Sequence, residues 1–311
     1  MIKVGIDAIS FFTSNYYLDL KTLAQVRGID VEKFHTGLGQ HHMGIPAPDE
    51  DIVTLASNAA MRLLKWVNPQ DIDTLVFATE SGIDQSKAAG LFVHQLLKLP
   101  ADCRVLEVKQ ACYSCTGALM LMLPKLVLEP HKKILLIASD VSRYGLNTPG
   151  ESSQGCGAVA MVLSAHPRLL EIDPRSGIYT EDVMDFWRPN YRDEALVDGK
   201  YSCELYLKVL KESFYHYEAK SGRHFEDIDQ FLFQLLGSLP IDIKNNVLTV
   251  GQGFFDWHQR SAIIISEYFC MLQKFIIFNH LVEFFPTDKM IILAVHFPRA
   301  WRTCSDGHGN T

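Results

Sequence analysis

The chain has 311 residues, of which 48% are hydrophobic and 21% are charged, and its net charge at pH 7 is −7. This composition provides ample material for a packed core and excludes a disordered chain. The isoelectric point near 5.9, with no cluster of Lys and Arg, argues against nucleic-acid binding, which favours a basic surface. At the usual size of about 100–200 residues per domain, we expect two domains or one two-lobed unit.

The sequence also bears on cellular location. Asp7 stands where a secretion signal needs its apolar stretch, so we expect no such signal. Apolar runs such as Ala262–Ile265 and Met290–Val295 are shorter than the roughly 20 residues of a membrane helix. The seven cysteines are an odd and scattered set, which favours reduced thiols. These features predict a cytoplasmic protein without a membrane partner.

Strand and helix patterns alternate up to about residue 165. In chain order they predict a strand at Lys3–Ile9, helices at Leu18–Val26 and Asp51–Trp66, a strand at Asp73–Thr79, a helix at Asp84–Leu99, a strand at Arg104–Val108, a helix at Cys112–Leu128, and strands at Lys133–Ser139 and Ala158–Ser164. Strands this apolar are typical of a sheet covered by helices on both faces. The pattern therefore predicts an α/β fold.

The later part of the chain gives a weaker pattern. A helix is predicted over residues 200–221, and strands at Gln230–Leu236 and Ile291–Val295, whereas Ala262–Phe278 fits either a helix or a strand. Of the 18 phenylalanines, 8 lie in residues 1–230 and 10 in the remaining 81. The last quarter of the chain thus differs chemically from the rest.

Cys112 is the first candidate for chemistry. It follows a strand and a short turn and opens an apolar helix. The N-terminus of a helix favours a thiolate, the form that accepts acyl groups, although many free cysteines are simply small buried residues. Because Cys115 completes a C-x-x-C pair, a zinc site and a redox dithiol are rival interpretations. A zinc site would need a second pair, which the isolated Cys156 and Cys203 do not provide.

Two further segments are candidates for binding or catalysis. Glu80 directly follows a buried strand, at the sheet edge where α/β proteins bind their ligands. A carboxyl group at this position can serve as a general acid or base. It can equally be an acidic residue that only stabilises the N-terminus of the next helix. The Gly- and Ser-rich segment 143–158 lies between two apolar strands and fits the wall of a ligand pocket, but no nucleotide-binding pattern.

Seven blocks of sequence resemble the hydroxymethylglutaryl-CoA synthases, especially the bacterial mevalonate-pathway type. They are GIDAISFF, KFHTGLGQHHM (33–43), ATESGIDQSKA (78–88), KQACYSCTGAL (109–119), ASDVSRYGLNTPGESSQGCGAVAM (138–161), YTEDVMDFWRPN (179–190) and VDGKYSCELYL (197–207). The resemblance runs from residue 1 to about residue 233. It implies a thiolase-like, five-layered αβαβα fold, with a first half at 1–165 and a second half at 166–311.

The resemblance also implies an activity, a homodimer and a set of site residues. The activity is the Claisen-type condensation of acetyl-CoA with acetoacetyl-CoA, which belongs to isoprenoid biosynthesis and needs no metal or other cofactor. By resemblance, Cys112 carries the acetyl group as a thioester, and Glu80 withdraws a methyl proton. Ser153 and Ser202 match residues that line the acyl-CoA pocket, and Tyr144 is a further candidate in the same loop as Ser153.

The resemblance ends abruptly near residue 234. Gln234 stands where the family has a histidine that protonates the ketone oxygen of the second substrate, and a neutral amide cannot deliver a proton. The tail at 234–311 is therefore either divergent or the product of a reading-frame shift, the second half is incomplete, and we expect impaired condensation. Two alternatives stay open: a non-catalytic paralogue that binds acyl-CoA or a partner subunit, and a polyketide-type branching synthase.

Overall fold

The computed structural model describes residues 2–228 and five short strands beyond them. The elements up to residue 171 are β1 (Val4–Phe12), β2 (Tyr16–Asp19), α1 (Leu20–Arg27), α2 (Glu32–Leu38), β3 (His42–Ile45), α3 (Ile52–Leu63), β4 (Ile72–Ala78), α4 (Ala89–Leu97), β5 (Arg104–Val108), α5 (Ser114–Leu128), β6 (Lys133–Ser142), β7 (Gly155–Ala165) and β8 (Leu170–Glu171). They are followed by β9 (Ile178–Tyr179), β10 (Phe186–Trp187), β11 (Leu196–Val197), α6 (Gly199–Ser221), β12 (Gln230–Leu232), β13 (Ile241–Lys244), β14 (Val247–Val250), β15 (Ala262–Ile265) and β16 (Met290–Val295).

A six-stranded sheet in the order β5-β4-β6-β7-β1-β8 forms the centre of the N-terminal part. Successive strand residues point to opposite faces, so Leu75 and Phe77 pack with α3 and α4, while Val76 packs with α5. Leu55 of α3 and Leu119 of α5 are fully buried on the two faces. The structure thus confirms the predicted α/β architecture, with helices on both faces of an apolar sheet.

Strand direction determines where the polar loops meet. β4 runs parallel to β5 and to β6, with Ala78 opposite Val108 on one side and Ala138 on the other. The carboxyl ends of these three strands therefore lie at one edge of the sheet. β7 then runs antiparallel to β6, so the loop between them begins at that same edge.

A second sheet joins β9 to three of the later strands. Its order is β12-β15-β16-β9, and all of its pairs are parallel. The strand predicted at Gln230–Leu236 is described as far as Leu232, and the remainder lies outside the described residues. The same holds for the part of Ala262–Phe278 that follows β15.

Some element boundaries differ from the sequence prediction. The helix predicted to begin at Asp84 begins at Ala89, because the Asp84 carboxylate accepts the backbone N–H groups of Ser86 and Lys87 and holds a turn. β2, α2 and β3 were not predicted from the sequence. They pack with α1 around a small core of their own, formed by Leu20, Leu23, Ala24, Phe34 and Met43.

The segment Ala111–Leu128 is long and apolar enough, by length and composition, to cross a membrane. The sequence predicts nearly the same residues as a helix, Cys112–Leu128, and for this segment the expectation that apolar stretches are too short for a membrane helix is wrong. Half of this segment is buried in the fold, with Leu119 and Leu123 packed against the sheet, as is typical of a core helix.

Candidate active site

A cavity of ≈ 920 Å³ opens at the sheet edge where β4, β5 and β6 end. Its walls come from the segments that follow these strands and from the chain between β9 and β11. The lining residues include Glu80, Ser81, Lys109, Gln110, Ala111, Arg143, Tyr144, Asp185, Phe186 and Arg188. Two candidates from the sequence, Glu80 and Tyr144, are thus brought to one cavity from separate parts of the chain.

Glu80 is held by its backbone as the chain leaves β4. Its N–H donates to Oδ1 of Asp140 over 2.9 Å, and its carbonyl oxygen accepts a hydrogen bond from the Arg188 guanidinium. Its side chain lines the cavity and is partly buried. A carboxylate fixed in this way is placed to exchange a proton with a ligand in the cavity.

Asp140, on β6, is fully buried behind Glu80 and was not identified from the sequence. Its Oδ1 also accepts hydrogen bonds from the Thr79 hydroxyl over 2.8 Å and from the Ser81 hydroxyl over 2.7 Å. Burial raises the pKa of Asp140 to about 7, and the charge of Glu80 acts in the same direction, against the lowering effect of these hydrogen bonds. Two interacting carboxyl groups therefore lie at the end of β4.

Cys112 does not open the helix, as the sequence predicted, but lies two residues before α5 begins at Ser114. The preceding Ala111 has φ +43°, a left-handed conformation that costs a residue with a Cβ about 1–2 kcal/mol. A tight turn therefore carries the chain from β5 into α5. Ala111 lines the cavity, whereas Cys112 is the next residue along the chain, is only 1% exposed and is not among the described residues that line the cavity.

Cys115 lies in the hydrophobic core between α5 and the sheet. It is 1% exposed, and burial raises the pKa of its thiol. Neither Cys112 nor Cys115 forms a disulfide, and the described residues contain no group of three or more His, Cys, Asp or Glu side chains that could hold a metal ion. A reactive dithiol is therefore disfavoured, because Cys115 is buried as a neutral thiol.

Tyr144 and Ser153 lie in the loop between β6 and β7 but face different surroundings. Tyr144 lines the cavity, and its ring packs edge-on to Phe186 at 6.2 Å between centroids. The Ser153 hydroxyl donates to the Gly150 carbonyl over 2.8 Å, and Ser153 is not among the described residues that line the cavity. The structure thus places Tyr144 at the cavity, whereas Ser153 is not among the described residues that line it.

Ser202 is likewise not among the described residues that line the cavity. It is in the first turn of α6, which is capped by Asp198, and is fully buried. Its hydroxyl donates to Oδ2 of Asp185 over 2.7 Å, and Asp185 lines the cavity. Burial raises the pKa of Asp185, although the hydrogen bond from Ser202 lowers it. Asp185 was not identified from the sequence, where only the block around it was noted.

Comparison with known families shows what this architecture is related to. Residues 2–167 match the family model described as hydroxymethylglutaryl-coenzyme A synthase N terminal. The hydroxymethylglutaryl-CoA synthase of Enterococcus faecalis is 40% identical over 75% of this chain and 61% of its own length. The polyketide biosynthesis 3-hydroxy-3-methylglutaryl-ACP synthase PksG of Bacillus subtilis is 34% identical over 75% of this chain and 59% of its own length.

Solved structures give the same result for the fold. A crystal structure of HMG-CoA synthase complexed with CoA superposes with a TM-score of 0.71 at 40% identity, covering 74% of this chain and 59% of that chain. MvaS in complex with 3-hydroxy-3-methylglutaryl coenzyme A gives a TM-score of 0.72 at 38% identity, and the match covers 76% of this chain and 60% of that chain.

The described part of the chain has the thiolase-like α/β fold of these neighbours. The chain belongs to the hydroxymethylglutaryl-CoA synthase family, a family of acyltransferases. It spans about six-tenths of the length of the relatives named above.

Proposed function

We propose that the protein is an acyltransferase that takes up an acetyl group from acetyl-CoA on Cys112. The observation that carries the proposal is that Glu80 and Ala111, the residue directly before Cys112, line one cavity in a chain of this family. A thioester at Cys112 makes the acetyl methyl protons more acidic, and Glu80 withdraws one of them. The covalent link holds the resulting nucleophilic carbon in place for the second substrate.

Incubation with isotopically labelled acetyl-CoA tests the acyl transfer. We expect one acetyl group on the peptide that contains Cys112 and none in a Cys112→Ser variant. Cys115→Ala is the matched control, because Cys115 is a buried thiol only three residues further along the chain, and its loss leaves Cys112 in place. Wild-type protein that takes up no label would refute the proposal.

The second substrate of the proposed reaction is acetoacetyl-CoA, whose ketone carbon the acetyl carbanion attacks. The hydroxymethylglutaryl-CoA so formed is still joined to Cys112, and water cleaves that thioester to release the product and the Cys112 thiol. We place the reaction within the mevalonate pathway and the cytoplasm. The two solved relatives with bound CoA and hydroxymethylglutaryl-CoA support acyl-CoA substrates. Condensation is expected to be impaired because of Gln234, which lies outside the described residues.

A carrier-protein substrate is the second candidate. It is favoured by the likeness to PksG and to the Curacin pathway HMG synthase in complex with an acetyl donor-ACP, which is 33% identical with a TM-score of 0.70. Parallel acetylation assays with acetyl-CoA and acetyl-ACP distinguish the two. Faster labelling of Cys112 by acetyl-ACP would favour the branching-synthase alternative, and the absence of labelling by both would favour the non-catalytic paralogue.

We further propose a homodimer. β5 is an edge strand of the six-stranded sheet, and such edges pair readily with other strands. Beside it, Leu91, Phe92 and Leu96 of α4 and Leu106 of β5 are large apolar side chains exposed to solvent. Pairing of β5 with its copy would cover an apolar surface of this kind, and the mass of the protein in solution tests the dimer.

A further inference from the structure

The loop that joins β6 to β7, residues 143–154, forms part of the cavity wall through Arg143 and Tyr144. Its backbone is tied internally, since the Tyr144 N–H donates to Oε1 of Gln154 over 3.0 Å and the Thr148 hydroxyl donates to the Tyr144 carbonyl over 2.9 Å. These bonds maintain the shape of the loop. Contacts from outside the loop hold it against the rest of the protein: the Ala195 N–H donates to the Arg143 carbonyl over 3.3 Å, the Tyr144 ring packs on Phe186, and Arg27 pairs with Glu151.

Glu151 is the loop residue that Arg27 contacts. Its carboxylate is 8% exposed and accepts the Asn147 N–H over 3.0 Å. Asn147 has φ +57°, a left-handed conformation that needs such support in a residue other than glycine. Glu151 therefore supports the turn at Asn147, and its two oxygens have further positions that can accept hydrogen bonds.

Arg27 fills those positions from a distant part of the sequence. Its Nε donates to Oε2 of Glu151 over 2.8 Å and its Nη2 to Oε1 over 2.7 Å, a bidentate pair. Arg27 is the last residue of α1, which ends at Gly28 and packs in the small core shared with β3. Hydrogen bonding by Arg27 lowers the pKa of Glu151, so the carboxylate is charged at neutral pH.

We infer that Arg27 is a positioning residue, which acts through Glu151 to hold the 143–154 loop, and with it Tyr144, against the cavity. Arg27 is not among the described residues that line the cavity, so it touches no ligand there. The inference rests on the proposed function, because it assigns to the loop an effect on acyl transfer. Misplacement of a pocket wall by about 1 Å can slow a reaction as much as 100-fold.

Two variants of Arg27 separate charge from geometry. Arg27→Gln removes the charge and leaves a buried carboxylate without its cation, whereas Arg27→Lys keeps the charge but cannot reproduce the planar pair of bonds. The matched controls are Arg168→Gln and Arg168→Lys. Arg168 makes the same bidentate pair with the buried Asp7, over 2.8 and 2.7 Å, and neither residue is among those that line the cavity.

The full-length variants are compared in two measurements. The first is amide hydrogen exchange in residues 143–154, where we expect faster exchange in both Arg27 variants and wild-type exchange in both Arg168 variants. The second is the rate of Cys112 acetylation by acetyl-CoA, with melting temperatures recorded beside it. We expect Arg27→Gln to acetylate on the order of tenfold more slowly than Arg168→Gln, and Arg27→Lys to lie between Arg27→Gln and wild type.

Equal acetylation rates in the Arg27 and Arg168 variants would overturn the inference, because the pair would then be merely structural. Unchanged exchange in residues 143–154 of Arg27→Gln would also overturn it. If the wild type itself takes up no acetyl group, the proposed function fails, and the exchange measurement alone then decides whether Arg27 holds the loop.

Discussion

At the scale of single residues, the site depends on Asp140, which joins β6 to the loop that carries Glu80. One oxygen of Asp140 accepts the backbone N–H groups of Glu80 and Ser81 and the hydroxyls of Thr79 and Ser81. The carboxyl group is nevertheless fully buried, and its pKa is raised. Asp140 thus fixes the geometry of the site at a cost in stability when it is ionised.

This cost predicts a dependence of stability on pH. The unfolded chain loses the Asp140 proton near the ordinary pKa of 3.8, and the folded protein keeps it to about pH 7. The contribution of Asp140 to stability therefore falls between about pH 4 and pH 7 and is constant above that range. Relative to wild type, Asp140→Asn should gain stability across this window, by up to about 4 kcal/mol, in urea unfolding measured at a series of pH values.

Asp173→Asn is the matched control, because its stability relative to wild type should change with pH in the opposite direction. Burial of Asp173 raises its pKa, but the hydrogen bonds and charge of Arg175 outweigh that effect and leave the pKa lowered. Asp173→Asn should therefore lose stability relative to wild type as the pH rises through the acidic range. If the difference in unfolding free energy between Asp140→Asn and wild type did not change from pH 4 to pH 7, the raised pKa of Asp140 would be contradicted.

The sequence could identify some site residues and not others, for a physical reason. Glu80 closely follows the buried strand β4, and Cys112 follows β5 after a short turn, and the local pattern shows both positions. Asp140 and Asp185 act across the fold, on Glu80 and on Ser202, and no local pattern shows which residues such side chains reach. The pocket role expected for Ser153 and Ser202 stays a prediction, and neither is among the described residues that line the cavity.

At the scale of elements, α4 packs so closely on the sheet that one of its residues has room only for hydrogen. A Cβ added at Gly90 would lie 2.8 Å from Cδ2 of Leu75 and 3.0 Å from Cγ1 of Val105. Close packing here keeps α4 against β4 and β5, the strands that carry Glu80 and the Cys112 turn at their ends. The close approach is therefore part of how the site is supported.

Gly90→Ala is predicted to destabilise the protein by about 1–3 kcal/mol, although alanine is the better helix former, because overpacking outweighs propensity. Gly37 of α2 is the matched control, since its added Cβ would meet only the Glu32 carbonyl oxygen at 3.7 Å. Gly37→Ala should stabilise by up to about 1 kcal/mol. Thermal unfolding tests both predictions: the melting temperature should fall in Gly90→Ala and rise in Gly37→Ala. A higher melting temperature for Gly90→Ala would refute the packing argument.

Elements were predictable where one pattern dominated. The apolar runs of β4, β6 and β7 and the periodic helix α3 were all predicted within a few residues. The predicted start of α4 was wrong because hydrogen bonds to the Asp84 side chain hold a turn there, and the periodicity of apolar residues does not show such bonds. β2 and β3 were not predicted because each has only four residues and each is stabilised mainly by pairing with the other.

At the scale of the whole molecule, the family likeness covers about three-quarters of the chain and about six-tenths of its relatives. The residues proposed for acetyl transfer lie in the part that matches the family model, whereas Gln234 lies beyond it. The division into halves at residues 165 and 166 stays a prediction. We therefore expect this protein to retain acetyl uptake while its condensation step is impaired.

Condensation measured with acetoacetyl-CoA tests this separation. We expect acetyl uptake on Cys112 but at least about 100-fold less condensation than in the Enterococcus faecalis relative assayed beside it, since loss of a general acid typically costs 10²–10⁴-fold. A Gln234→His variant shows whether that position alone limits the reaction. Condensation by the wild type at the rate of the relative would show that position 234 does not matter.

The central claim is that Cys112 holds the acetyl group while Glu80 withdraws its methyl proton. Exchange of that methyl group with deuterium from the solvent, measured on acetylated protein by mass spectrometry, tests it most directly. The wild type should incorporate deuterium. Glu80→Gln should still acetylate at Cys112 but incorporate deuterium at least about 100-fold more slowly. Equal incorporation in the two proteins, or acetylation at a residue other than Cys112, would contradict the account.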